Sequence, residues 1–203
     1  MTDPRAHWPA SLAGHGDLRD RLLAAYADPR RAYHDVRHLA EVLDRVEELL
    51  PTTPGVDADA VRLAAWFHDA VYDEGGDLED RSAVLARKEL DRIGVPTHTV
   101  EEVARLVRLT AHHRPLTGDT AGEVLCDADL AILAADEGRY EEYVRGVRRE
   151  YAHVPDKEFR AGRAAVLRAL TEAPALFRTE HGRAHWERPA RANVERELRE
   201  LER

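Results

Sequence analysis

Three short segments carry residue types that could do chemistry together: Tyr33-His34-Asp35-Val36-Arg37-His38-Leu39, Trp66-Phe67-His68-Asp69, and Cys126-Asp127-Ala128-Asp129-Leu130. Along the chain they give the order His, His-Asp, Asp. Imidazole and carboxylate suit divalent transition metals and magnesium, and separate helices of a bundle can aim such side chains at one interior point. His68 and Asp69 are adjacent, about 100° apart on a helix, but their unequal lengths let both reach one ion where a helix ends. The pair also interrupts a buried apolar run, which is costly unless partners compensate, and metal coordination would do so. Cys126 is the single cysteine, so any metal falls to histidine and carboxylate rather than to a cysteine-rich zinc site, and no intrachain disulfide is expected.

The elements that must position these groups read as helices parted by Pro/Gly/Thr connectors, with almost none of the β-branched alternation that announces strands. All-α is the expected class, with residues 17–203 as one helical domain behind a partly ordered lead-in, residues 1–16. The first helix spans about 17–27 and ends at Pro29. A second spans about 33–50, with Leu39, Val42, Leu43, Val46 and Leu50 on its buried stripe and Pro51 as its stop. The third, about 57–71, is apolar nearly all round and should be central. A fourth covers 78–93, and Thr99 with Glu102 forms a capping box opening a fifth that runs to about 111. Further helices are expected over 124–135, 137–151, 156–172 (Asp156 as N-cap) and 187 to the end.

Composition narrows the partners. A formal charge of -9 repels a phosphate backbone, and no basic, aromatic-interleaved stretch offsets it, so nucleic acid is not an expected partner. No run of about eighteen apolar residues occurs and the N-terminal stretch lacks a signal-peptide pattern, so no membrane association and a cytoplasmic address are expected. The oligomeric state stays open, a homo-oligomer among the outcomes.

With these motifs in order, the chain resembles the HD superfamily of metal-dependent phosphohydrolases. More narrowly it resembles a bacterial branch marked by Tyr-His-x-x-x-His-Leu, Phe-His-Asp-x-x-Tyr and Asp-Ala-Asp-Leu, here residues 33–39, 67–72 and 127–130. The likeness extends over about residues 30–197. It implies an HD-type helical bundle whose metal ligands are His38, His68, Asp69 and Asp129, with Asp127 the weaker alternative to Asp129. The cofactor implied is a divalent ion: manganese, iron, magnesium, cobalt or nickel. His34 would orient a ligand, touch substrate or hold a second metal. It sits one turn before His38, and on a helix the spacing of four puts the two on one face. Glu79 would be water-positioner or general base, and Asp69 would aim the attacking water. His113, and less well His112, match histidines that bind a second ion or phosphate. Arg148, Arg163 and Arg191 match family arginines, whose forked guanidinium suits phosphate oxygens.

Blander readings stand beside these. A lone buried histidine is more often a satisfied core residue than a ligand, which applies to His34. Arginines in the last third are more often salt-bridged or solvated than catalytic. Trp66 and Phe67 read as core, Tyr33 and Tyr72 as packing. The function implied is metal-dependent hydrolysis of a small phosphate ester, a nucleotide being one candidate. The alternatives are an HD-fold di-iron oxygenase and a non-catalytic nucleotide-binding sensor.

Overall fold

A computed structural model describes residues 2–73 and 75–203; Met1, part of the expected lead-in, lies outside them. Every regular element among the described residues is helical. The α-helices are α1 (Gly16–Tyr26), α2 (Val36–Leu49), α3 (Ala58–Phe67), α4 (Leu78–Arg92), α5 (Thr97–Leu109), α6 (Thr120–Leu130), α7 (Glu137–Glu150), α8 (Asp156–Thr171), α9 (Glu180–His185) and α10 (Glu187–Leu201). Among the described residues, no helix is long and apolar enough to cross a membrane. The chain divides into two compact units, Met1–Asp129 and Leu130–Arg203.

In the first unit α3 is central, as its all-round apolar surface requires: Ala60, Val61 and residues 63–67 are buried, and the helix packs against α2, α4 and α5. On α2 the buried stripe is Leu39, Val42, Leu43, Val46 and Leu49; Leu50 passes into a 3-10 turn over Leu50–Thr52 and is only half-buried. Residues 2–16 are the described part of the expected, partly ordered lead-in. They form two 3-10 turns, Pro4–His7 and Ala10–His15, with Trp8 and Leu12 buried. The Trp8 ring meets Trp66 of α3 edge-on at 5.2 Å, and its Nε1–H donates to the Leu12 carbonyl at 2.9 Å. Such an aromatic pair contributes about 0.5–1.5 kcal/mol beyond its buried area, which periodicity alone does not reveal. At the junction of α5 and α6, a side chain at buried Gly122 would collide with Leu109 and Asp119, so glycine permits the close approach of the helix that carries Asp129.

In the second unit, α7, α8 and α10 surround a polar core. Buried Glu197 accepts from Tyr140 Oη at 2.5 Å and from Arg163 Nε at 2.8 Å, and Arg163 also donates to Tyr143 Oη at 2.7 Å. Asn193 Nδ2 donates to the Leu133 and Ala135 carbonyls, both at 2.8 Å, holding a 3-10 turn at Ala131–Ala134. That turn is where the expected 124–135 helix instead ends at Leu130. The short α9 was not expected; its six residues are too few to show a period, and Thr179 caps it by accepting from the Gly182 N–H. The start of α5 differs as well. Pro96, in extended conformation, offers its carbonyl to the Thr99 and Val100 N–H groups, so the helix starts at Thr97 and Thr99 lies inside it rather than capping it. Asp156 is the first residue of α8, with Pro155 at the cap.

Candidate metal centre

Asp35 sets the first candidate ligand, His38, in place. Its carboxylate accepts from the N–H groups of Arg37 (2.8 Å) and His38 (3.1 Å), capping α2 and putting His38 in the first turn. The helix therefore begins after His34, not at Tyr33, and His34 lies in the turn ahead of the cap instead of on a helical face shared with His38. The two rings still meet, edge to face at 5.5 Å, and Tyr33 packs against both at 4.7 and 4.8 Å.

His68 follows the last residue of α3, its N–H still donating to the Ala64 carbonyl. Its Nδ1–H donates to the Ala65 carbonyl at 2.8 Å, which leaves the Nε2 lone pair facing the cluster, the tautomer a ligating histidine needs. Asp69 is past the helix end, and side chains hold its backbone: Tyr26 Oη accepts its N–H at 3.2 Å and Arg31 donates to its carbonyl at 2.8 Å. Two residues on, the Val71 N–H donates to buried Ser82 Oγ at 3.1 Å. Asp129 comes from the end of α6.

These groups converge. His38, His68 and Asp69 each bring a ligand atom within 4.8 Å of the others. The Nε2 atoms of His38 and His68 are 3.1 Å apart; Asp69 Oδ2 is 3.4 Å from the first and 3.2 Å from the second. Asp129 Oδ1 lies 3.3 Å from His38 Nε2 and 3.7 Å from His68 Nε2. With metal–ligand bonds of about 2.1 Å, neighbouring ligand atoms sit about 3.0 Å apart in an octahedron and about 3.4 Å in a tetrahedron. The separations here fall around those edges, so the donor set fits one divalent cation in both chemistry and spacing.

Exposure gives the site a direction. The imidazoles form its floor, His38 at 2% and His68 at 1%, while Asp129 (14%), His113 (19%) and Asp69 (25%) reach toward solvent. The cavity of about 360 Å³ between Leu12, Leu63 and Val95 lies elsewhere and includes none of the four candidate ligands.

Burial disfavours charge on all four groups, and their mutual attraction overrides it. His38 is desolvated, yet hydrogen bonds and Coulomb attraction from Asp129 and Asp69 raise its pKa to about 10. His68 is likewise raised by Asp69 and Asp129 against its burial, with His38 opposing. The histidines in turn hold both carboxylates below the usual carboxylate range despite burial: His68 and His34 chiefly for Asp69, His68 and His113 for Asp129.

His113 joins the site. Its Nε2–H donates to Asp129 Oδ2 at 2.8 Å, so Asp129 turns one oxygen to the imidazole floor and the other to His113. The backbone of His113 takes a left-handed φ of 51°, uncommon for a residue other than glycine. His112 is different. It is exposed, with Nδ1 accepting from the Arg114 N–H, and has no contact with the cluster among the described residues. Glu79 lies in the first turn of α4, and among the described residues no hydrogen bond or ion pair joins it to the ligands.

The arginines expected to bind substrate have their donors engaged within the second unit. Arg163 is bound to Glu197 and Tyr143; Arg148 donates to the Tyr151 and Val154 carbonyls and covers Phe159; Arg191 pairs with Glu187 and donates to the carbonyls of Thr171, Ala173 and Pro174. The side chains that sequence reasoning missed are Arg31 and Tyr26. Both are buried, and only an accounting of the main-chain groups left unpaired beyond α1 and α3 could have pointed to them.

No family model matches the chain, and neither does any curated protein or solved structure.

Proposed function

We propose that the protein is a metal-dependent phosphohydrolase of small phosphate esters, with a divalent cation held by His38, His68, Asp69 and Asp129. The observation that carries this reading is the set of 3.1–3.7 Å separations among two imidazole nitrogens and two carboxylate oxygens, with the carboxylates on the solvent side. Bound there, a divalent ion supplies Lewis acidity, neutralising phosphoryl charge and making a water acidic enough to attack near neutral pH.

The chain's own residues do the rest. His68, locked by Ala65, presents a lone pair at Nε2, and His38 does so once its proton leaves. Asp69 and Asp129 stay ionised and give the floor an acidic rim. Asp69, the most exposed of the four, accepts a hydrogen bond from the attacking water and aims it. His113 keeps a proton at Nε2 against Asp129, beside the opening where a leaving oxygen would need one.

The test is purified protein with manganese, magnesium, cobalt, nickel or ferrous iron and a panel of phosphomonoesters and phosphodiesters. Metal-dependent turnover that vanishes in His68→Ala and Asp69→Ala supports the proposal; turnover no higher than in those variants, with every metal, rejects it. A second reading, a di-iron oxygenase, draws on the outer oxygen of Asp129, which His113 faces at 2.8 Å. Two irons per chain with a visible absorption band would favour it over hydrolysis.

A further inference from the structure

Asp69 has to hold its carboxylate toward the cluster without the helix that supports His68. Its peptide lies beyond the end of α3, where main-chain groups lose their intrahelical partners. Both polar groups of that residue are nevertheless paired, each by a buried side chain from near the end of α1. The Tyr26 hydroxyl accepts the Asp69 N–H at 3.2 Å, and Arg31 Nη2 donates to the Asp69 carbonyl at 2.8 Å, with the Ala70 carbonyl at 3.4 Å.

Arg31 reaches two further segments. Its Nη1 donates to the His34 carbonyl at 2.6 Å and its Nε to the Ala25 carbonyl at 3.0 Å. The guanidinium sits over the rings of Tyr26 at 4.9 Å and Tyr72 at 4.5 Å, and the residue is only 6% exposed. One planar cation thus ties the last turn of α1, the turn leading into the His38 helix, and the turn that carries Asp69. Lysine could not do this, because a single ammonium has neither the fork nor the flat faces that receive two aromatic rings. A merely stabilising arginine would serve its purpose on any backbone carbonyl. Here two of the acceptors belong to Asp69 itself and to His34, whose ring packs on the His38 ligand.

We infer that Arg31, braced by Tyr26, is a positioning residue that sets the direction of the Asp69 carboxylate and thereby the cation affinity of the site. This rests on the metal-site reading above. Partners that hydrogen-bond ligand side chains change metal affinity about 10- to 100-fold when removed, and a brace on the ligand's main chain is expected to act at the lower end of that scale.

The experiment uses cobalt, whose visible spectrum reports coordination geometry, on the full chain and on Arg31→Lys, Arg31→Ala and Tyr26→Phe. Arg31→Lys keeps the charge and Tyr26→Phe keeps the ring, so both should retain the helical circular dichroism of the parent. Expected are a cobalt affinity at least tenfold weaker in Arg31→Lys and Arg31→Ala, a smaller loss in Tyr26→Phe, and an altered cobalt spectrum in all of them. Millimolar guanidinium should restore affinity and spectrum to Arg31→Ala and do nothing for His68→Ala. Wild-type affinity and spectrum in folded Arg31→Lys and Tyr26→Phe would overturn the inference while leaving the metal site standing. Failure of the parent chain to bind cobalt, manganese or nickel would instead remove the metal reading itself, and this inference with it.

Discussion

The Nε2 atoms of His38 and His68 lie 3.1 Å apart, and the carboxylates of Asp69 and Asp129 beside them favour the protonated imidazole. For a cation bound as proposed, proton and cation compete for the same nitrogens. The pKa of His38 is raised from 6.5 to about 10, so without metal the proton's contribution to stability is complete below pH 6.5 and lost as the pH climbs through about 10. A cation must displace it, so apparent affinity should rise by about tenfold per pH unit for each proton released across that window. Calorimetry in buffers of different ionisation enthalpy counts the protons; a pH-independent affinity with none released contradicts the prediction. His113 offers a separate test. Asparagine tolerates the left-handed backbone but lacks the imidazole, so His113→Asn should leave the urea midpoint nearly unchanged and lower metal-dependent turnover by about 100-fold. An unchanged rate would confine His113 to orienting Asp129.

Helix ends decide how these side chains are aimed, and they were the least legible part of the sequence. The apolar stripe of α2 was readable from Leu39, Val42, Leu43 and Val46, because 3.6-residue periodicity is printed in the side chains themselves. The start of α2 was not, because Asp35 ends the preceding turn and begins the helix with one carboxylate, overriding the spacing of four between His34 and His38. That His38, His68, Asp69 and Asp129 converge was legible because residue type and order mark them as one donor set. Arg31 was not, because an arginine two residues after a proline in a loop reads as solvated until the carbonyls around it are counted. Asp35→Ala should lower stability by about 1 kcal/mol, read by urea denaturation, and weaken cation binding because His38 occupies the loosened first turn. Affinity equal to wild type would mean that packing from Tyr33 is enough to hold His38.

At the scale of the molecule the polar core of the second unit behaves differently from the site in the first. Tyr140 and Arg163 donate to one buried carboxylate, Glu197, and Arg163 donates in addition to the Tyr143 hydroxyl. Burial and Glu197 push the Tyr140 hydroxyl well above its ordinary pKa, which keeps it a donor. Arg163→Met should therefore cost about 3–5 kcal/mol, because it strands a buried charge, and the loss should appear in the thermal or urea midpoint. A midpoint within experimental error of wild type would refute the structural assignment and return Arg163 to the substrate-binding role its sequence position suggested. The contact of Trp8 with Trp66 has a practical consequence. Trp66 is sheltered from solvent and stands two positions before His68, so its emission should be blue-shifted and should dim as paramagnetic cobalt or nickel fills the cluster. Such quenching would give the proposed site an optical gauge of its occupancy, readable without a substrate or a label.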